Sequence, residues 1–343
     1  MTEEIESQLP ATNVPIDNEN PCVTVMKIQK SFIIHKPTPI CNMILKSDSC
    51  SKFYTGLTRN QRMCLWDFLG EAKDKLSIIG TEGTLSGQIQ CMSLDCQFLM
   101  TLLILRRDRL FEDIAFQFDL DRNVVARIFK TWVQFIFWKF KDIQTAMFTK
   151  RKDLPRLPSV FRNKLLRNTR CVIDCTELVI ESARNYNQQG NIYSAYKSRP
   201  TAKILVATNP NGAAVYISDA FEGSISDVKI VEKSGFLDFI ENGDIILADR
   251  GFTIDHLLVK RGAKVVMPPM MKGKSALSLP EESITKVIAK ARIHIERWNE
   301  RLKLFEWLRT PIRQDKRNML SQGVYVCSCL ANFSRIMLDT EQN

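Results

Sequence analysis

A mixed α/β domain preceded by a small helical region is the fold class this sequence of 343 residues predicts. Three observations carry it. From residue 169 onward, short β-rich apolar runs alternate with helical stretches, the order expected of strands and helices layered on one core. Two of those runs, Val172-Ile173 and Ile246-Leu247-Ala248, lead straight into an aspartate. Upstream, residues 110–140 read as a short helix, a tight link and a longer helix.

The elements follow in chain order. Residues 1–55 contain Pro, Asn and Ser without a clean period, which predicts a disordered tail and linker. Residues 56–148 form the helical region. Thr58 can cap a helix over 57–78, where Met63, Leu65, Trp66, Leu69 and Leu76 fall at helical spacing. A Gly/Ser/Thr-rich break at 80–87 precedes a second apolar helix over 93–106. Ile114, Ala115 and Phe118 then mark a short helix. Val124, Val125, Ile128, Phe129, Trp132, Val133 and Ile136 mark a longer one, with Asp121 as N-cap. This is the helix-turn-helix pattern, and it puts Arg122, Asn123 and Arg127 on the early turns that usually meet a DNA groove. The link lacks a glycine, but Asp119 tolerates a left-handed backbone. An ordinary helical hairpin fits the same residues.

Residues 149–168 read as a linker, with the basic run Lys150-Arg151-Lys152 and prolines through Pro158. The domain over 169–338 opens with the strand CVID (Cys171–Asp174). A hairpin follows, Thr201–Thr208 and Ala213–Phe221 about the turn Asn209-Pro-Asn-Gly212. Residues 227–240 read as helical, Asp244–Asp249 and Ala263–Pro269 as strands, and 280–308 as a long helix. That helix has an apolar stripe of Ile284, Val287/Ile288, Ala291, Ile295, Trp298, Leu302 and Phe305, beside which Arg292, Glu296 and Lys303 form a polar one. Asp174 and Asp249 are expected at strand ends, where open α/β sheets collect ligands. Each acid alone suits a cap or an ion pair; two strand-end aspartates followed by a helical glutamate suit an oxygen-ligated divalent cation.

Composition narrows the partners. The formal charge is +10, and the first 20 residues hold five acids (Glu3, Glu4, Glu6, Asp17, Glu19) and no Lys or Arg, so the remainder is near +15. A basic body suits a polyanion, nucleic acid first. Ten cysteines without a C-x-x-C pair, and only three histidines, suggest free thiols rather than a structural zinc. The sequence shows neither a secretory signal nor an apolar run of membrane-spanning length, so we expect an intracellular protein, in the nucleus if it handles DNA, with no membrane partner.

Seven motifs in order carry a family resemblance: VIDCTE (172–177), YSAYKSRPTAK (193–203), EGSISD (222–227), EKSGFLD (232–238), ILADRGF (246–252), MPPMMKGKSALS (267–278) and RIHIERWNERLK (292–303). Residues 170–338 resemble the DDE superfamily endonuclease domain of Harbinger-like transposases, and residues 93–140 are similar to the helix-turn-helix preceding it. The resemblance implies an RNase H-like core, a catalytic and metal-holding triad of Asp174, Asp249 and Glu296, and two divalent metal cations, Mg²⁺ or Mn²⁺, as cofactors. Glu177 and Asp227 lie in matching motifs as accessory acids. Tyr196, Lys197, Arg199, Lys203, Arg250, Lys272 and Lys274 are the candidates for phosphate contact, alongside Arg122, Asn123 and Arg127. The implied substrate is duplex DNA at transposon ends. Many relatives carry an N-terminal zinc finger that this chain lacks, which leaves room for a separate DNA-binding partner protein and for a homo-oligomer. Two rivals remain: a domesticated DNA-binding protein that no longer cuts, and an RNase H-like nuclease acting on RNA or hybrids.

Overall fold

The computed structural model describes residues 38–80, 92–154, 157–182, 192–270, 276–309 and 311–336. Its helical region begins earlier than the sequence suggests. Helices α1 (Pro39–Leu45) and α2 (Asp48–Thr55) occupy the last third of the stretch read as tail and linker. Thr38 and Ser47 cap them, and Cys41 and Ile44 are fully buried, so a few anchoring residues order a segment whose composition looks loose. Helix α3 (Arg59–Leu69) starts at Thr58 in a reciprocal capping box with Gln61 and stops at Gly70, short of the expected length.

Helix α4 (Leu94–Arg107), capped by Ser93, is buried all round between residues 96 and 105, which accounts for its nearly unbroken apolar sequence. Helices α5 (Phe111–Phe118) and α6 (Arg122–Asp142) form the expected short–long pair. Asp119 turns the chain between them at φ 53°, and Asp121 caps α6 through the Asn123 amide. Trp132 of α6 donates its indole N–H to Gln97 of α4 at 3.1 Å, a satisfied polar contact inside an aromatic cluster with Trp66 and Phe98. The stretch 149–168 is folded onto the sheet domain rather than extended: Phe161 and Leu166 are fully buried against Val172 and Leu247.

Among the described residues, seven strands form one mixed sheet. Strand β1 (Thr169–Val179) is central. It pairs antiparallel with β3 (Arg199–Thr208), whose outer edge takes up β2 (Tyr193–Ser194), β4 (Ala214–Ile217) and β5 (Phe221–Glu222). On its other side β1 runs parallel to β6 (Ile245–Leu247), which runs parallel to β7 (Lys264–Val266). An antiparallel meander followed by two parallel strands is the RNase H-like arrangement. Helix α7 (Asp227–Lys233) is cut short by Gly235 at φ 81°, after which residues 236–239 continue as a 3-10 turn. The long helix α8 (Leu279–Leu302) buries Ile288, Ala291, Ile295, Trp298 and Leu302, as its stripe requires, while Ile284 stays exposed. Helix α9 (Leu320–Ile336) closes the fold. Asn332 of α9 exchanges two hydrogen bonds with the Ala214 backbone and accepts the Trp298 indole N–H.

The helical region and the sheet domain share one hydrophobic core, which contains Leu65, Phe98 and Trp132 together with Ile204, Trp298, Trp307 and Leu330. Two ion pairs fasten the end of α4 to the far part of the chain. Arg107 meets Glu306 at 2.7 Å, and Asp108 meets Lys316, both largely buried in the second case.

Candidate active site

The site grows out of the β1–β6 register. Parallel pairing ends with Val172 opposite Leu247. Two residues further along each chain stand Asp174 and Asp249, so the two carboxylates share one row on neighbouring strands whose backbones lie about 5 Å apart. This corrects one detail of the sequence expectation. Asp174 lies in the middle of β1, not at its end, because β1 continues to Val179 on the pairing it makes with β3 alone. Asp249 does sit just past its strand.

Helix α8 crosses this row and touches both acids. Asn299 Nδ2 donates to Asp174 Oδ2 at 3.0 Å, and Thr176 Oγ1 fixes Asn299 by donating to its Oδ1 at 2.6 Å. Arg292 Nη1 lies 3.2 Å from Asp249 Oδ1, which also accepts the Arg250 amide at 2.8 Å. Arg292, Glu296 and Asn299 are spaced i, i+4, i+7 and therefore form one face of the helix. Glu296 is the exposed middle member of that face, between the residue on Asp249 and the residue on Asp174.

The electrostatics follow from burial. Desolvation pushes the Asp174 carboxyl up to about 6, and the Asp249 charge adds to the rise. The Arg292 guanidinium and the Asn299 hydrogen bond pull the other way without cancelling it. Two neighbouring carboxylates whose charge is only partly balanced, with hard oxygen donors, are a donor set that suits Mg²⁺ or Mn²⁺. Among the described residues, however, no three His, Cys, Asp or Glu side chains converge closely enough to hold a metal ion. The structure thus brings Asp174 and Asp249 together and leaves Glu296 outside a closed ligand set.

The accessory acids occupy the opposite face. Alternation along β1 turns Glu177 away from Asp174. There Lys203 is held by Asp227 at 3.2 Å, by Glu177 at 3.8 Å and by the Ile225 carbonyl at 3.1 Å, while Thr201 donates to Glu177 at 3.0 Å. Lys203 was expected to meet phosphate; it is instead committed to this internal network, because its position opposite Glu177 in the register points it inward. Asp227 also reaches the loop after Asp249: a Cβ on Gly251 would stand 3.9 Å from its Oδ2. Burial and the Asp227 charge push the neighbouring Cys175 thiol up.

The remaining basic candidates divide by exposure. Arg250, Lys197 and Arg199 are exposed, the last two on the β2–β3 hairpin where Lys197 sits 4.7 Å over the exposed Tyr196 ring. Arg122 and Asn123 are exposed at the start of α6, with Arg122 paired to Glu112 of α5. Arg127 is half-buried and its Nε is enclosed. Lys272 and Lys274 lie outside the described residues. Sequence reasoning missed the roles of Arg292 and Asn299; their spacing about Glu296 was the available signal.

Two family models match the chain. Residues 173–332 match the model for the DDE superfamily endonuclease, and residues 90–142 match the model for the helix-turn-helix of DDE superfamily endonuclease. No curated protein and no solved structure matches the chain significantly.

Proposed function

Because the chain is a DDE superfamily endonuclease domain protein with that superfamily's helix-turn-helix, we propose that it is a metal-dependent DNA endonuclease and strand transferase of the Harbinger-like type, working in the nucleus on duplex DNA at transposon ends. The observation that carries this reading is the shared row of Asp174 and Asp249 under the polar face of α8. Asp174, Asp249 and Glu296 are the residues that would hold the ions. Two divalent ions, when bound, supply activation of the attacking oxygen and stabilisation of the leaving one. The chain's own part is positional. Asn299, fixed by Thr176, orients the Asp174 carboxylate, and the Arg250 amide orients Asp249. Arg122 and Asn123 at the start of α6, and Lys197, Arg199 and Arg250 around the sheet, are the exposed groups for the DNA backbone.

One observation favours a second reading. The Arg292–Asp249 ion pair also suits a domesticated protein that binds DNA without cutting it. A nicking assay on supercoiled DNA separates the two. Wild-type protein is expected to nick with Mn²⁺, and Glu296→Gln to lose most of the rate while keeping its unfolding midpoint, since Glu296 is exposed and glutamine is a good helix former. Absence of cleavage by the wild type, with its own element's ends and a partner protein supplied, favours the non-cutting reading. Equal rates in wild type and variant remove Glu296 from the site.

A further inference from the structure

Arg292 stands where the reading above would put a cation. It reaches across from α8 to Asp249, with its Nη1 3.2 Å from the carboxylate Oδ1. The guanidinium is 16% exposed against 50% for Asp249, so the contact is made from the protein side of the acid.

The contact is also incomplete. It runs through one Nη, whereas a structural Arg–carboxylate bridge typically uses the two-pronged fork. Arg292 Nε is buried with no hydrogen-bond partner among the described residues. Lys203, on the other face of β1, provides the contrast: its ammonium is shared by two carboxylates and a carbonyl, as a permanent structural cation would be. Among the described residues Arg292 pairs with one acid, and that acid is half in solvent.

We propose that Arg292 is a built-in counter-cation: it balances the Asp174–Asp249 pair in the metal-free protein, a divalent ion must displace it from Asp249 to bind, and the displaced guanidinium then serves as the phosphate contact nearest the carboxylates. The proposal rests on the assignment of Asp174 and Asp249 as metal ligands. It makes Arg292 a positioning residue with opposite effects on two ligands. It opposes the metal, because both compete for one carboxylate, and it favours DNA, because a guanidinium freed from its acid offers phosphate a two-pronged donor.

The test uses the full chain and four proteins: wild type, Arg292→Gln, Arg292→Lys and Asp249→Asn. Mn²⁺ binding is followed by the paramagnetic resonance of the free ion, and binding of a short duplex is measured in saturating Mn²⁺. Arg292→Gln is expected to bind Mn²⁺ several-fold more tightly than wild type and duplex several-fold more weakly. Arg292→Lys, which keeps the charge, should stay close to wild type for the metal, and it keeps the comparison open if the glutamine variant does not fold. Two results overturn the proposal while leaving the metal site standing. One is Mn²⁺ affinity in Arg292→Gln equal to or below wild type when Asp249→Asn has lost it; the other is unchanged duplex binding. If Asp249→Asn binds Mn²⁺ like wild type, the metal-site assignment itself fails, and the proposal with it.

Discussion

At the scale of single residues, Asp174 carries the clearest consequence. Its folded-state pKa of about 6 lies above the ordinary 3.8, so the fold prefers the protonated acid. That preference contributes stability fully present below the unfolded value and lost as pH rises from about 4 through about 6. At neutral pH and without metal, the buried charge therefore costs stability, on the order of 1–3 kcal/mol. Asp174→Asn in chelator should raise the unfolding midpoint at pH 7.5, and the gain should vanish by pH 4; an equal gain at both values would mean that burial of the charge is not the cause. The sequence made Asp174 visible as an acid after an apolar run, but not its position in mid-strand. That depends on where β6 leaves β1, which no residue in β1 records. Arg292 and Asn299 were hidden for a related reason. Their partners lie more than 40 residues away in sequence, and only the crossing of α8 over the sheet joins them.

At the scale of elements, the helix pair α5–α6 was legible almost residue by residue because its signals are local. Asp119 adopts the left-handed turn, Asp121 caps, and of the apolar positions named for α6 all but the partly buried Val124 are buried. Helices α1 and α2 were not legible, since short capped helices owe their order to tertiary packing more than to pattern. The α6 N-terminus also yields a prediction. Arg122 is exposed and, among the described residues, paired with the exposed Glu112, so it contributes little to the fold. Arg122→Ala should leave the unfolding midpoint nearly unchanged, weaken duplex binding, and reduce the slope of log affinity against log salt by about 1. Isotherms at several salt concentrations measure it, and an unchanged slope would make the helix pair purely structural.

At the scale of the whole molecule, the sequence suggested two units joined by a linker, and its composition hid what joins them. The common core draws on residues from 41 to 331, and apolar side chains in a sequence do not announce which element they will meet. The fastening at Asp108 and Lys316 can be tested. Both side chains are nearly enclosed, 11% and 5% exposed, so removing one partner leaves a buried charge, a loss of roughly 3 kcal/mol. Asp108→Ala should show that loss in denaturant unfolding, and adding Lys316→Met should recover most of it; no recovery would mean that the packing around Asp108, rather than its charge, was lost. Unfolding should be a single transition whether followed by helix content or by tryptophan emission. If the protein grips DNA through α6 and works on it under α8, as proposed, the shared core has a mechanical meaning. The gripping helix cannot swivel on a tether, so the number of base pairs between the gripped groove and the bond presented to the carboxylates is a built-in ruler, set by how the helices pack and not by the length of the chain between them.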